Sequence, residues 1–325
     1  MPAAKTCIVA PRAILPGGMV RRGNSESPAM SIPRSLVAAW LGIAALALTG
    51  AAAEPVKTEA VGPQYDTTRV YVAPEDVNRF VNSFLTTFGG TSTKQVLVTV
   101  TPTPSRTSSQ LLLTPVGTLS VFGFRTPVPY PFGTERTGTL VRDIDSAVEQ
   151  ARADGAGVLV STFPDAIGRD AVIQWPGGVR MQLYWHRTPP SYPPLRTIPE
   201  NRVYVPPGDA AAFVRDFTRF AGGHVVSDDS KAPGIEIGRP GDSYRRIEIA
   251  SPFGPTRVLV TDGHLPFPYG HELTGYDVTD LDATLAKATA AGAQVLVEPY
   301  TADGRRATLV AFPGGFIAEI HAKAP

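Results

Sequence analysis

Apolar positions along this chain recur in two rhythms, one of period two and one of helical period. The change between them is clearest from Leu273 onward. A short β-rich run ends at Val278, and Leu281, Leu285 and Ala288 then recur at helical spacing over residues 282–291. Asp280 or Asp282 offers a carboxylate to the free N–H groups of the first helical turn, and Gly292 supplies the stop. Three runs rich in β-branched residues follow, up to His321. They are separated by Asp303-Gly304 and Pro313-Gly314-Gly315, both turn formers. The pattern predicts a βαβββ unit.

The chain carries this unit four times, because its body is a tandem repeat. Arg69-Val-Tyr-Val72 returns 133 residues later as Arg202-Val-Tyr-Val205. Pro129-Tyr-Pro-Phe-Gly-Thr-Glu135 returns 137 residues later as Pro266-Phe-Pro-Tyr-Gly-His-Glu272, and Trp175-Pro-Gly-Gly178 returns at the same interval as Phe312-Pro-Gly-Gly315. The step from 133 to 137 predicts a small insertion in the second copy, between Gly223 and Pro252. Helices are expected over 75–88, 144–153, 210–220 and 282–291, with strands of the first unit near 95–101, 109–114 and 118–124. The first domain runs over residues 67–186 and the second over 200–325. Residues 187–199, with prolines at 189, 190, 193, 194 and 199, form the linker between them.

Composition adds exclusions. The chain has 325 residues, 43% of them hydrophobic, enough for two domains with proper cores. A net charge of +1 carries no nucleic-acid footprint. The single cysteine, Cys7, lies in the leader, so the body has no disulfide, thiolate nucleophile or cysteine metal cluster. Residues 1–53 read as a leader with a signal peptide. Arg34 precedes an apolar run over residues 36–48, and Ala51-Ala52-Ala53 suits cleavage near Ala53. The expected destination is the periplasm or the exterior. The run is shorter than the ~20 apolar residues of a membrane span, so no membrane contact is expected after cleavage. Residues 54–66 read as a polar linker.

The unit resembles the repeating module of the vicinal-oxygen-chelate superfamily, which includes glyoxalase I, bleomycin-resistance proteins and extradiol dioxygenases. The residues that carry the resemblance are Val278-Thr-Asp-Leu-Asp282, Ala291-Gly-Ala293, Arg306-Ala-Thr-Leu-Val310 and Phe312-Pro-Gly-Gly-Phe-Ile-Ala-Glu319-Ile320. It implies an α+β fold of two tandem glyoxalase-like domains, each a half-barrel curled around a cleft. It also implies metal ligands at set positions of the first and last strands of each unit. Carried over, these are Glu200, Leu273, Val258 and Glu319 in the second copy, and Thr67, Arg136, Val121 and Gln182 in the first. Leucine, valine and arginine cannot donate to a cation. The first copy is expected to bind no metal. In the second, Glu319 with Glu200, His321 or His271 could form an irregular divalent-metal site. The competing expectation is that Glu319 pairs with Arg202 or another nearby cation.

Strand parity gives a candidate ligand face in the first copy: Thr67, Arg69, Tyr71, Arg136, Arg180, Gln182 and Tyr184. Guanidinium, phenol and amide groups there suit a small anionic or hydrogen-bond-rich organic molecule. The matching face of the second copy reads Glu200, Arg202, Tyr204, Asp277, Glu319 and His321, and is more acidic. Beside a structural or partner-binding role, with one domain a scaffold for the other, two functions follow. One is an exported binder of a small organic molecule without a complete metal site. The other is a metal-dependent lyase, isomerase or dioxygenase with Glu319 as its catalytic carboxylate. Oligomeric state is not legible at this level.

Overall fold

A computed structural model describes residues 64–325; the expected signal peptide and most of the first linker lie outside the described residues. The first copy runs β1 (Thr68–Val72), α1 (Val77–Phe88), β2 (Thr91–Ser92), β3 (Val96–Val98), β4 (Thr107–Thr114) and β5 (Gly117–Phe124). Its second unit is β6 (Thr137–Leu140), α2 (Ile144–Ala153), β7 (Gly157–Pro164), β8 (Gly168–Gln174) and β9 (Arg180–His186). The second copy runs β10 (Glu200–Val205), α3 (Pro207–Ala221), β11 (His224–Pro233), β12 (Ser243–Ala250) and β13 (Thr256–Val260). It ends with β14 (Leu273–Asp277), α4 (Leu281–Ala290), β15 (Gln294–Ala302), β16 (Arg305–Ala311) and β17 (Ile317–Lys323).

Each copy forms its own sheet, and the two strand orders match: β2-β4-β5-β1-β6-β9-β8-β7 and β11-β12-β13-β10-β14-β17-β16-β15. Within each unit the first strand lies parallel to the last, as β1 to β5 and β10 to β13. The two units of a copy meet where their first strands pair antiparallel, β1 with β6 and β10 with β14. This is the α+β, four-module architecture that the repeats imply.

Local chemistry sets the helix ends. Asp280 accepts from the Ala283 N–H at 2.9 Å and caps α4, while Asp143 caps α2 through the Ser146 N–H at 2.7 Å. Helix α3 starts three residues earlier than its apolar stripe suggests, because Pro207 sits in the first turn, where its fixed φ and missing N–H carry no penalty. The strand expected over residues 95–101 is reduced to the three residues of β3, with β2 a separate short piece before it. Val96 and Leu97 are exposed at the rim of the sheet, and Pro102 and Pro104 offer no ladder donors beyond it.

The helices lie between the convex faces of the two sheets, and each core is shared by both copies. One joins Trp175 and Ile173 to Phe213, Phe217 and Phe220 of α3. The other joins Phe80 and Phe84 of α1 to Tyr276, Phe312 and Phe316. The described residues, 64–325, therefore form one compact unit. Both concave faces point away from this shared core.

Candidate functional site

At the centre of each concave face the two copies use one device. A buried arginine on the first strand reaches across a glycine on the neighbouring strand to an amide or carboxylate on the last. In the first copy Arg69 Nε donates to Gln182 Oε1 at 2.6 Å, and its Nη1 donates to Asp66 Oδ2 at 2.7 Å. The glycine is Gly138; a Cβ there would stand 2.2 Å from Arg69 Nη2. In the second copy Arg202 Nη1 lies 2.9 Å from Glu319 Oε2 and 3.1 Å from Glu200 Oε1, across Gly275. A guanidinium thus occupies the middle of both half-barrels.

Around this shared device the two clefts diverge. The first copy holds a cavity of about 310 Å³. Its apolar wall includes Val96, Val98, Leu111, Phe122, Phe132 and Ile167, and its polar floor includes Asp66, Arg69, Asp170, Gln182 and Tyr184. Tyr71 also lines it and donates its hydroxyl proton to Glu135. Tyr184 lies under the Arg69 guanidinium, 4.9 Å from ring centre to Cζ, and donates to the Asp66 carbonyl at 3.0 Å. Burial pushes the Asp170 carboxyl well above the usual range, and the nearby carboxylates Asp165 and Asp66 push it further against the pull of Arg69. Burial likewise raises Glu135 and lowers His186.

In the second copy the equivalent space is filled. The insertion foreseen from the change of repeat interval contains a short 3₁₀ turn, Gly234–Ile237, laid across the concave face. Ile237 packs with Tyr204, Tyr244 and Leu259, and Ile235 packs against Tyr300, Ala302 and Ala307. Between them Glu236, 2% exposed, accepts from Arg246 Nη1 at 2.6 Å and from the Tyr244 hydroxyl at 2.5 Å. Arg257 Nη2 donates to Glu248 at 2.6 Å, and Arg305 Nη2 donates to Glu200 at 3.0 Å. Burial alone would raise Glu200 and Glu319. The guanidiniums outweigh it: Arg257, Arg305 and Arg202 hold Glu200 well below the usual range, and Arg202 with His321 lowers Glu319.

The fit of this centre to a divalent metal can be judged from its donors. The structure brings Glu200, Glu319 and His321 together, with His321 Nδ1 3.1 Å from Glu319 Oε1. The carboxylate lone pairs, however, face guanidiniums: Arg202, Arg257 and Arg305 at Glu200, and Arg202 and Arg305 at Glu319. Three positive groups occupy the space a cation would take, so the residues present do not fit a metal. Among the described residues no group of three or more His, Cys, Asp or Glu has the spacing to hold one. A divalent metal remains compatible with the fold, but not with this donor set.

Several sequence expectations need correction. Val121 and Val258, carried over as ligand positions, face the helix layer; the cleft residues on those strands are Ser120 and Arg257, one position earlier. Arg136 is absent from the first cleft and lies near His271 and Glu272 of the second copy, where its charge acts on both. Arg180 bonds Gln174, Thr134 and Tyr130 outside the cavity. His271 lines a separate hollow of about 210 Å³ with Glu272 and the Gly177-Gly178 turn, away from Glu319. Tyr204 packs against the inserted turn and borders the same hollow as His271, so it does not line a second-copy counterpart of the first cleft. Asp66, assigned to the linker, and Asp170, not among the candidate residues, both belong to the floor of the first cleft. Pairing β8 with β9 by parity would have found Asp170, which stands opposite Tyr184. A wider groove of about 750 Å³ borders α1 and the Pro313–Gly315 turn, but its one charged side chain, Arg79, is already bonded to Asp76.

Two curled sheets, each built from two βαβββ units with its helices on the convex side, define the class. The chain has the fold of the vicinal-oxygen-chelate superfamily in its tandem two-domain form. Solved structures agree. A mutant of 4-hydroxymandelate synthase from Streptomyces coelicolor aligns with a TM-score of 0.53 and 13% identity, over 81% of this chain and 94% of that one. The 2,3-dioxygenase LapB from Pseudomonas sp. KL28 aligns with a TM-score of 0.50 and 12% identity, over 82% and 94%. The 2,2',3-trihydroxybiphenyl 1,2-dioxygenase from Sphingomonas wittichii strain RW1 aligns with a TM-score of 0.50 and 11% identity, over 80% and 90%. No protein-family model and no curated protein matches the sequence. At such identities the likeness establishes the fold and leaves the reaction open.

Proposed function

We propose that this is an exported binder of a small organic molecule, with the ligand held in the first copy's cleft and the second copy serving as its scaffold. One observation carries the reading. The first cleft is an apolar-walled cavity of about 310 Å³ with amide, phenol and carboxyl groups converging on its floor, while the matching space in the second copy is filled by the inserted turn and its ion pairs. A cavity of that size and lining suits a compact organic ligand. Export rests on the leader alone.

Thermal-shift screening of a small-molecule library tests the reading. Hits should be abolished by Ser109→Trp, which places an indole in the cavity wall, and retained by Ser243→Trp at the far end of β12. Hits indifferent to Ser109→Trp would refute it.

The alternative, a metal-dependent lyase, isomerase or dioxygenase built on Glu319, draws on the activities of proteins that share the fold. It requires Arg202 and Arg305 to leave Glu319. Stoichiometric metal in the purified protein, lost on Glu319→Ala, would favour it over the binder.

A further inference from the structure

The charges in the first cleft cancel one another. Arg69, 3% exposed, is met by Asp66 at 2.7 Å, and Asp66 also accepts from Ser120 Oγ at 2.6 Å. At the rim Lys94 and Asp165 are of opposite sign. No guanidinium is left over for an anion, because Arg136 and Arg180 both lie outside the cavity. What remains on the floor is Asp170, 6% exposed. Gln182 spends its carbonyl oxygen on Arg69 Nε, so its NH₂ group is the one turned to Asp170. The walls are rich in rings: Tyr71, Phe122, Phe132 and Tyr184 all line the space, and Tyr71 and Phe122 lie 5.3 Å apart.

Resting on the reading that this cleft is the binding site, we propose that its occupant is an uncharged aromatic or conjugated molecule whose oxygen accepts a hydrogen bond from the Asp170 carboxyl. A carboxylate or phosphate on the floor would find the buried guanidinium of Arg69 already paired with Asp66, with Lys94 exposed at the rim, and would lie against Asp66 and Asp170, at a poorly compensated desolvation cost. An uncharged carbonyl or ether oxygen loses little on leaving water and gains the Asp170 donor. Burial and the neighbouring Asp66 and Asp165 favour the protonated acid, which can donate, over the carboxylate, which cannot.

The test uses two probes with one ring system: 2-acetylnaphthalene, an uncharged ketone, and 2-naphthoate, its carboxylate counterpart. Calorimetric titration of the purified protein at pH 7 should show the ketone binding at least about tenfold more tightly. Asp170→Asn keeps a donor and should hold ketone affinity within about threefold, whereas Asp170→Leu removes it and should weaken binding about tenfold. Equal or tighter binding of 2-naphthoate overturns the proposal. So does unchanged ketone affinity in Asp170→Leu, or an equal loss in both variants. If neither probe binds and a broad fragment library is silent as well, the binding reading itself falls.

Discussion

Replacing Arg202 by methionine probes how the second copy is held together. The guanidinium is 2% exposed, and its Nη1 lies 2.9 Å from Glu319 and 3.1 Å from Glu200. With an effective dielectric of ~20, the attraction at 2.9 Å is about 6 kcal/mol before desolvation is charged against it. Methionine keeps most of the volume but leaves Glu319, 0% exposed, with only Arg305 at 3.4 Å and His321 at 3.1 Å. Breaking a buried pair in this way costs about 3–5 kcal/mol, which for a unit of this size lowers Tm by roughly 6–20 °C. The double variant Arg202→Met/Glu319→Leu should recover most of that loss, because both charges then leave the interior together. Urea denaturation and calorimetry at pH 7 measure both. The gap between wild type and the single variant should close as pH falls below the usual carboxylate range. Glu200 and Glu319 have lowered folded-state pKa values, so their contribution is complete above the unfolded value and is lost only as pH falls through the folded one. A single variant within about 1 kcal/mol of wild type at pH 7 would refute the structural role of the network.

Asp170→Asn should be more stable than wild type at pH 7 and equal to it near pH 3. A carboxyl whose folded pKa is raised loses stability as pH rises above its unfolded value, and asparagine does not titrate; a pH series of denaturant melts reads the difference. Burial pushes Glu272 up to about 8, so a carboxyl-¹³C NMR titration should find its midpoint near 8, and a midpoint in the ordinary carboxylate range would show that solvent reaches the carboxyl. Gly138→Ala sets a Cβ 2.2 Å from a guanidinium fixed by Asp66 and Gln182, and should cost about 1–3 kcal/mol by urea denaturation. Gly275→Ala should cost less, because the nearest atom there is His321 Cε1 at 3.3 Å.

The fold was legible because its signals are local and repeated. Apolar spacing located α2 and α4 to within a residue, and Asp143 and Asp280 sit where a capping carboxylate is needed. The internal repeat then fixed four like units, and the jump from 133 to 137 residues located the inserted turn. What that turn does was not legible, because Glu236 meets Arg246 and Arg257 only where β12 and β13 lie beside it in the folded chain. Strand parity placed Arg69, Gln182 and Tyr184 on one face, since an error of two residues leaves parity intact. The positions carried over from the resemblance failed at Val121 and Val258, one residue beyond the cleft residues Ser120 and Arg257 and so on the opposite face. Arg136 and Arg180 share the parity of the cleft residues but lie near strand ends, where side chains turn to other partners. Asp66 lies just before β1, outside any periodic run, and only the folded chain shows that it answers Arg69.

The first half-barrel is open and the second is filled, and a crystallographic fragment soak compares them in one experiment. Difference density should gather between Phe122, Asp170 and Tyr184 of the first copy, with the ion pairs around Arg202 undisturbed. Fragments or a metal seated against Glu319, with Arg202 and Arg305 displaced and the first cavity empty, would contradict this contrast.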